Sequence, residues 1–245
     1  MKKLLLILFF VVPVVANSQR KIVKNLPVHD NKALHFGFTL GLNSMDFRIN
    51  HSEYAVENIF FAEVSSITPG FNINIVSNFR LSPSFDFRVL PGVAFGQRRI
   101  DYYTMDGPGL PGSEQWAEGA VPVADSYQDM ESSFLEFPVV LKYKSIRINN
   151  YRPYVLGGIN LRYDLAKNFN EDDRIYLDLK PFNIYMETGF GIDFYLPYFK
   201  LSTELKYATG FLDMLHRRVS SQTKFQDAIG SLKSNLIIFS LHFEE

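Results

Sequence analysis

The sequence predicts an all-β fold: an eight-stranded antiparallel transmembrane up-and-down β-barrel with long extracellular loops and short periplasmic turns. Three observations support this prediction. Eight segments alternate apolar and polar residues with a period of two, the gaps between them alternate short and long, and the chain begins with an export signal. Lipid offers no hydrogen-bonding partner to an open sheet edge. Strands that are apolar on one face and polar on the other therefore have to close into a barrel.

The first residues have the pattern of a secretory signal peptide. Two lysines precede an apolar run, Leu4–Val15, and small residues follow at positions 16–18. The run is too short to span a bilayer as a helix, which takes about 20 apolar residues. The alternative, an N-terminal hydrophobic strand, is disfavoured by the charged start. We therefore predict a signal peptide over 1–18, a periplasmic N-terminal arm over 19–34 and the outer-membrane barrel domain over 35–245.

Composition excludes several classes of function. The chain has 25 Lys and Arg against 26 Asp and Glu, a balance that argues against a nucleic-acid-binding protein. It has no cysteine, which removes thiol catalysis and thiolate metal sites. With 23 Phe, 13 Tyr and a mean hydropathy of −0.04, the aromatic content fits a barrel in which only the outward half of each strand is apolar.

The eight predicted strands follow one another along the chain with the same alternation. In order they are His35–Ile49, Gly70–Arg80, Ser84–Tyr103, Ser132–Arg147, Tyr151–Ala166, Phe182–Phe194, Lys200–Thr209 and Asn235–Phe243. Each is long enough for a tilted strand to cross the hydrocarbon layer, which takes about nine residues.

The first four strands oppose large apolar residues to Gly, Thr, Asn and charged residues. Their apolar faces are Phe36, Phe38, Leu40 and Leu42; Phe71, Ile73 and Ile75; Phe85, Phe87, Val89, Val93 and Phe95; and Leu135, Phe137, Val139, Leu141 and Tyr143.

The last four strands repeat the pattern, most regularly in the sixth. Their apolar faces are Val155, Ile159, Leu161 and Tyr163; Phe182, Ile184, Met186, Phe190, Ile192 and Phe194; Leu201, Leu205 and Tyr207; and Ile237, Phe239, Leu241 and Phe243.

The connections predict how the barrel is oriented. The short gaps, which carry turn residues, are 81–83, 148–150 and 196–199, and the long ones are 44–69, 104–131, 167–181 and 210–234. Outer-membrane barrels place short turns in the periplasm and long loops outside. Both termini are therefore predicted to be periplasmic.

The inward faces of the strands collect charges of both signs. We predict a lumen charge network of Asp86, Arg88, Glu136, Lys142, Arg162, Glu187, Glu204 and Lys206, with Asp164 and Asp193 on the same faces. Eight strands enclose an interior that side chains just fill, and buried charges must be paired. The expected result is a closed, ion-paired interior. A narrow polar pathway or proton relay is the alternative.

No catalytic, cofactor or metal site is predicted. Ser240 and His242 share a strand face and could form a nucleophile and base, but two-residue neighbours on a strand lie about 7 Å apart and no third group is evident. The inward glutamates could imitate a glycosidase pair, although ion pairing explains them better. His29, His35 and His51 do not form a metal-ligand spacing.

The long gap Thr104–Met130 contains Trp116, the only tryptophan, among glycines, prolines and acidic residues. Long loops on rigid scaffolds often carry function, so Trp116 is a candidate for contact with a partner protein. The alternative is a loop that shields the barrel mouth.

Four stretches resemble the PorT family, outer-membrane proteins of Bacteroidetes associated with type IX secretion. They are 33–47 (ALHFGFTLGLNSMDF), 67–71 (ITPGF), 136–139 (EFPV) and 154–158 (YVLGG). The resemblance implies a non-enzymatic accessory or assembly component of the type IX secretion system. It implies membrane lipids and proteins of a secretion complex as partners, without nucleic acid or a small-molecule substrate, and it supplies no catalytic residues. The alternatives are a generic OmpA-like structural or adhesion barrel, an outer-membrane hydrolase and a soluble periplasmic β-domain.

Overall fold

The computed structural model describes residues 23–58, 60–64, 68–106, 121–166, 177–217 and 223–245, most of them in one antiparallel sheet. Within these ranges the strands are β1 (Leu34–His51), β2 (Phe60–Glu63), β3 (Thr68–Arg80), β4 (Phe85–Val89), β5 (Gly92–Asp106), β6 (Val121–Lys144), β7 (Tyr151–Asp164), β8 (Asp178–Leu179), β9 (Phe182–Tyr195), β10 (Lys200–Gly210), β11 (Leu215–His216) and β12 (Ile229–Glu244). The helices there are α1 (Glu53–Asn58), α2 (Thr223–Asp227) and a 3-10 turn, His29–Asn31. The predicted signal peptide and Trp116 lie outside the described residues.

The strand pairings return to the strand where they begin. β1 pairs with β12 on one side and with β3 on the other, and the order between them is β10, β9, β7, β6 and then β4 with β5. Every pairing along this path is antiparallel. Among the described residues, no helix is long and apolar enough to cross a bilayer.

β4 and β5 act as two halves of one strand that is interrupted at Leu90 and Pro91. The register is continuous across the interruption on the β3 side, where Ser77 faces Val89 and Ile73 faces Val93. Proline has no N–H to donate, yet the Pro91 carbonyl still accepts a bond from the Ile75 N–H at 2.9 Å. The segments around the ring therefore correspond roughly to the eight predicted strands.

The predicted alternation separates the exposed from the buried residues. On β1, Phe38 is 49% exposed and its neighbour Thr39 is 1% exposed. Neighbouring strands stack aromatic rings on the outer face, as in Phe38 with Phe243, whose ring centroids are 4.8 Å apart. This outward apolar surface is the face that the sequence predicted for lipid.

Several predicted boundaries are wrong at the end of the ring opposite the short turns, which we call the loop end. β6 begins at Val121 rather than Ser132, and β12 at Ile229 rather than Asn235. β5 continues to Asp106, so much of the predicted loop is a paired hairpin. Past the predicted boundary the outward residues of β6 become polar, as at Asp129 and Glu131, and the alternation used to recognise the strand fades.

In addition to the outward apolar surface, the protein has a buried apolar core at the loop end, which we call the second apolar core. It joins β1, β2, β5, β6, β11, β12 and both helices. Its buried members are Phe47, Ala55, Phe60, Ala62, Ile100, Tyr102, Met130, Leu177, Met214, Leu215, Phe225, Ala228, Ile229 and Leu232. The predicted long loops are therefore partly folded, and the sequence analysis did not anticipate this core.

Candidate functional site

The polar interior of the ring is the candidate functional site. Strand geometry places it, because successive side chains of a strand point to opposite faces and the apolar faces point outward. The fully or nearly buried charged residues are Asp86, Arg88, Arg98, Glu136, Lys142, Lys144, Arg152, Arg162, Asp164, Glu187, Asp193, Lys200, Glu204, Lys206 and Glu244. Charges buried to this degree are tolerated when they are paired and hydrogen-bonded.

One group of pairs centres on Arg88. Its guanidinium donates to Glu204 at 3.2 Å and to Glu244 at 2.9 Å. The Lys200 ammonium lies 2.7 Å from the other carboxylate oxygen of Glu244. The hydroxyl of Tyr154 donates to Glu204 at 2.8 Å. β4, β7, β10 and β12 are thus tied together across the interior.

A second group contains two ion pairs that are linked by the side-chain amide of Asn160. Arg162 lies 2.6 Å from Glu136, and Lys206 lies 3.0 Å from Glu187. The side-chain amide of Asn160 donates to both carboxylates, at 3.2 Å to Glu136 and 2.7 Å to Glu187. Each carboxylate therefore has a cation and an amide as partners.

Two further pairs fill the part of the interior nearer the short turns. Lys142 reaches both oxygens of Asp193, at 2.7 and 2.9 Å, and its ammonium lies 3.5 Å from the centre of the Tyr154 ring. Lys144 donates to Asp86 at 2.5 Å. In this region, each lysine is therefore paired with an aspartate.

Each of the eight predicted lumen residues is buried and has an oppositely charged neighbour. The structure pairs Arg88 with Glu204, Arg162 with Glu136 and Lys206 with Glu187 inside the predicted set. Asp86 and Lys142 instead find partners outside it, in Lys144 and Asp193.

The predicted network does not include six residues that the structure also buries in the interior: Arg98, Lys144, Arg152, Tyr154, Lys200 and Glu244. Glu244 has the inward parity of His242 and lies one residue past the predicted end of its strand, so a longer strand would have included it. Tyr154 has the inward parity of Asn160 and Arg162, but a tyrosine counts as apolar in an alternation pattern. Arg98 continues the inward parity of Arg88, and its guanidinium lies 4.3 Å from the ring centre of Phe47.

The structure does not join Ser240 to His242 by a hydrogen bond. In the described part of the chain, the Ser240 hydroxyl has no hydrogen-bond partner. His242 instead lies between Thr39, 2.6 Å from its Nδ1, and Glu204, 3.3 Å from its Nε2. This hydroxyl–imidazole–carboxylate row is sealed in the interior, since Thr39, His242 and Glu204 are at most 2% exposed. Glu204 is also held by the Arg88 and Tyr154 contacts, so the row is a structural one.

The N-terminal arm lies across the end of the ring that carries the short turns, the turn end. The Asp30 carboxylate accepts bonds from the Tyr195 hydroxyl at 2.7 Å, Arg147 at 3.3 Å and Arg152 at 3.4 Å. Burial acts to raise the pKa of Asp30. The Tyr195 and Arg147 hydrogen bonds and the charges of both arginines outweigh it, so the pKa lies below its ordinary value.

His29 anchors the same arm from inside the mouth. It is 5% exposed, its ring stacks on His35 with centroids 4.0 Å apart, and it meets the edge of Tyr195 at 6.0 Å. Burial first, and then the positive charge of Lys200, lower the pKa of His29 to about 4. The docked imidazole is therefore neutral at pH 7.

The interior is thus filled in three layers along the ring. The arm lies across the turn end, ion pairs occupy the middle and the second apolar core lies at the loop end. Chemically, this arrangement pairs charges from different strands across the interior.

Several solved structures are similar to this chain at low sequence identity. Neisserial surface protein A shares 8% identity and a TM-score of 0.42, with 86% of this chain and 97% of that chain covered. OprG of Pseudomonas aeruginosa shares 11% identity and a TM-score of 0.40, covering 86% and 91%. The attachment invasion locus protein Ail of Yersinia pestis shares 11% identity and a TM-score of 0.35, covering 87% and 100%.

Comparison with curated proteins gives no match. Residues 16–216, most of the chain, match the family model described as outer membrane protein beta-barrel domain. The chain therefore belongs to this family of outer-membrane β-barrel proteins.

Proposed function

We propose that this outer-membrane protein is a closed, non-enzymatic barrel that works through its surfaces, as an accessory or assembly component of the type IX protein secretion system. The observation that carries the closed state is the interior, in which Arg88, Lys200 and Tyr154 fill the space between the carboxylates of Glu204 and Glu244. A barrel of eight strands filled in this way cannot pass folded cargo. Its contribution to secretion is to bind or position the proteins that do.

The orientation follows from the connections. Short turns belong in the periplasm and long connections outside. The turn end, with both termini and the arm, is accordingly assigned to the periplasm and the second apolar core to the cell surface. The same assignment gives a signal peptide over 1–18, a periplasmic arm over 19–34 and the barrel domain over 35–245. The outward apolar belt contacts lipid.

The secretion role rests on the PorT resemblance, of which the His35-Phe36-Gly37-Phe38 stretch is the most specific part. In β1, Phe36 and Phe38 are exposed on the outer belt, whereas His35 is buried at the turn end. The stretch thus combines a lipid-facing pair with a residue beside the docked arm. This combination supports a role in which the periplasmic end is specialised.

A clean deletion tests the secretion role. Secreted proteins from the deletion strain and its parent are compared, together with a strain that carries the restored gene. We expect type IX cargo to accumulate in the periplasm of the deletion strain and to be secreted again on complementation. An unchanged set of secreted proteins would overturn the proposal.

The second candidate is a generic OmpA-like structural or adhesion barrel, and the second apolar core favours it. A folded loop end presents a fixed outer surface, held for example by Phe225 and Tyr102, whose ring centroids lie 4.8 Å apart. Trp116 stays a proposed partner contact on this side. Under this alternative, deletion leaves secretion intact and instead lowers envelope integrity or the binding of cells to a surface.

A further inference from the structure

The turn end forms hydrogen bonds with the backbone of the arm as well as with its side chains. The Asn150 side chain accepts from the Asn25 N–H at 2.9 Å and donates to the Val23 carbonyl at 2.9 Å. The Tyr195 carbonyl accepts from the Asn25 side chain at 2.9 Å, and the Arg147 guanidinium bonds the Asn25 carbonyl. An amide that bonds both an N–H and a carbonyl of a passing chain takes the place of a neighbouring strand.

An acidic side chain completes this recognition five residues further along. Asp30 lies between Arg147 and Arg152 and accepts the Tyr195 hydroxyl. Tyr195 is 1% exposed, and Arg147 also lies over its ring, 3.6 Å from the centroid. The receiving groups are therefore fixed by the barrel, and they combine two cations with a buried hydroxyl donor.

Besides these contacts, the buried His29 ring is the main attachment of the arm. Val23 is 81% exposed and Val28 is 65% exposed, so these two apolar side chains bury little surface against the barrel. Its 3-10 turn is a single turn of three residues. A segment held by a few polar contacts, with little buried apolar surface, opens at a lower free energy than a barrel strand does.

We propose that the turn end is a binding site for an extended peptide that carries an acidic residue, and that the chain's own residues 23–33 fill it as a releasable strap. The strap covers the site in cis and exposes the Asn150, Arg147 and Arg152 groups when it opens. This inference rests on the geometry of the arm and holds whether or not the protein serves secretion.

The first test is cleavage of the strap in the folded, full-length mature protein. Lys24 and Lys32 are exposed trypsin sites, but the chain on either side of Lys24 is bonded to Asn150, so docking protects that peptide bond. Hydrogen bonds to an ionised carboxylate are stronger than those to a neutral amide. We therefore expect Asp30→Asn to speed release of the N-terminal fragment roughly tenfold or more, as followed by mass spectrometry.

Asp46→Asn is the matched control. Asp46 is an exposed aspartate on β1 whose carboxylate bonds the adjacent Phe47 N–H. The same charge is removed far from the strap, and cleavage at Lys24 should keep its wild-type rate. Heat-dependent migration in gels verifies that each variant is a folded barrel.

A double-mutant cycle tests the contact itself. Tyr195→Phe removes the hydroxyl that donates to Asp30 and keeps the ring that packs on Arg147 and His29. We expect each single variant to accelerate cleavage. The double variant should match Asp30→Asn within about threefold, because coupled partners are not additive. Additive effects, or an unchanged Asp30→Asn rate, would overturn the proposed site.

Hydrogen exchange tests whether the strap is releasable. We expect amides of residues 24–33 in the wild-type protein to exchange by a local opening that low concentrations of urea do not change, while β1 amides exchange far more slowly. If the strap amides instead exchanged at the same rate as those of β1, through global unfolding alone, residues 24–33 would be a permanent part of the barrel. That result would overturn the proposed strap.

Discussion

Arg88 shows how much of the interior depends on a single side chain. It is fully buried, and its two terminal nitrogens serve carboxylates from two different strands, β10 and β12. Removing one partner of a buried pair costs more than the pair contributes, because the remaining charge stays in a medium that solvates it poorly. Removing the Arg88 charge would leave two buried carboxylates, Glu204 and Glu244, without this partner.

Arg88→Gln should therefore lower the free energy of unfolding by about 3–5 kcal/mol. Urea unfolding in detergent micelles, followed by the loss of heat-resistant migration, measures it. Arg99→Gln is the control, since Arg99 pairs with Asp129 at 2.6 Å on the surface, where an ion pair contributes about 0–1 kcal/mol. Equal losses in the two variants would contradict the network as a source of stability.

Gly191 gives a second residue-scale prediction. A Cβ there would collide with the Tyr154 ring and the Thr203 carbonyl, whereas a Cβ on Gly157 would meet only the Glu187 carbonyl at 3.9 Å. Displacing Tyr154 also breaks its bond to Glu204. We expect Gly191→Ala to destabilise the barrel by about 1–3 kcal/mol and Gly157→Ala to be nearly neutral, measured by the same unfolding assay. The reverse order would contradict the packing around Tyr154.

At the scale of elements, the arm is the segment whose docking should respond to pH. The released His29 has its ordinary pKa near 6.5 and the docked one a pKa of about 4, so release takes up a proton between these values. His35 and Tyr195 pack on its ring, and Lys200, Glu244 and Asp30 are the charges that act on it. Docking is thus strongest above pH 6.5 and weakens as the pH falls towards 4.

Between pH 7 and 5.5 we expect protection of the strap amides to fall roughly eightfold, after correction for intrinsic exchange rates. His29→Gln should remove most of this dependence, since glutamine does not titrate. The Asp30 pKa is lowered on docking, and its contribution is lost only below its ordinary value near 3.8. A wild-type protection factor that stays constant over this range would contradict a buried, neutral His29.

Strands could be predicted from the sequence where lipid imposes the pattern. The predicted end of β9 is Phe194 and the observed end is Tyr195. The two agree because the outward positions of β9 face lipid, so apolar residues mark the strand up to its end. β6 was predicted eleven residues too short at its start, since the part beyond the belt faces water on its outer side.

Inward parity could also be predicted, but the pairing of charges could not. Alternation places Lys142 and Asp86 inside, yet nothing local tells that Lys142 bonds Asp193 from β9 and Asp86 bonds Lys144. Those choices depend on strand tilt and side-chain reach across the ring. The docking of Asp30 has no signal in the sequence, because the arm has no periodicity. The groups that hold Asp30 are also distant from it in sequence: Arg147 precedes β7, Arg152 lies in β7 and Tyr195 ends β9.

For the whole molecule, the three layers decide whether the barrel conducts ions. An open pore needs a continuous wet path. In the closed state that we propose, the paired charges of the middle layer and the second apolar core each interrupt this path. The strap would add a third barrier, and its loss alone would leave the other two in place.

We therefore expect no steady ion conductance from the purified protein in planar bilayers, with a porin as the positive control for insertion. Asp30→Asn, which frees the strap, should stay closed as well. Arg88 and Glu204 are buried in the middle layer, so solvent ions do not reach them. Acid or high salt that leaves the barrel folded should therefore not raise the conductance. Single-channel openings in Asp30→Asn that are absent from the wild type would contradict this picture and would make the strap the only seal. A closed Asp30→Asn barrel with a freely cleaved strap would separate the two roles: ion pairs and apolar core for closure, strap for recognition at the turn end.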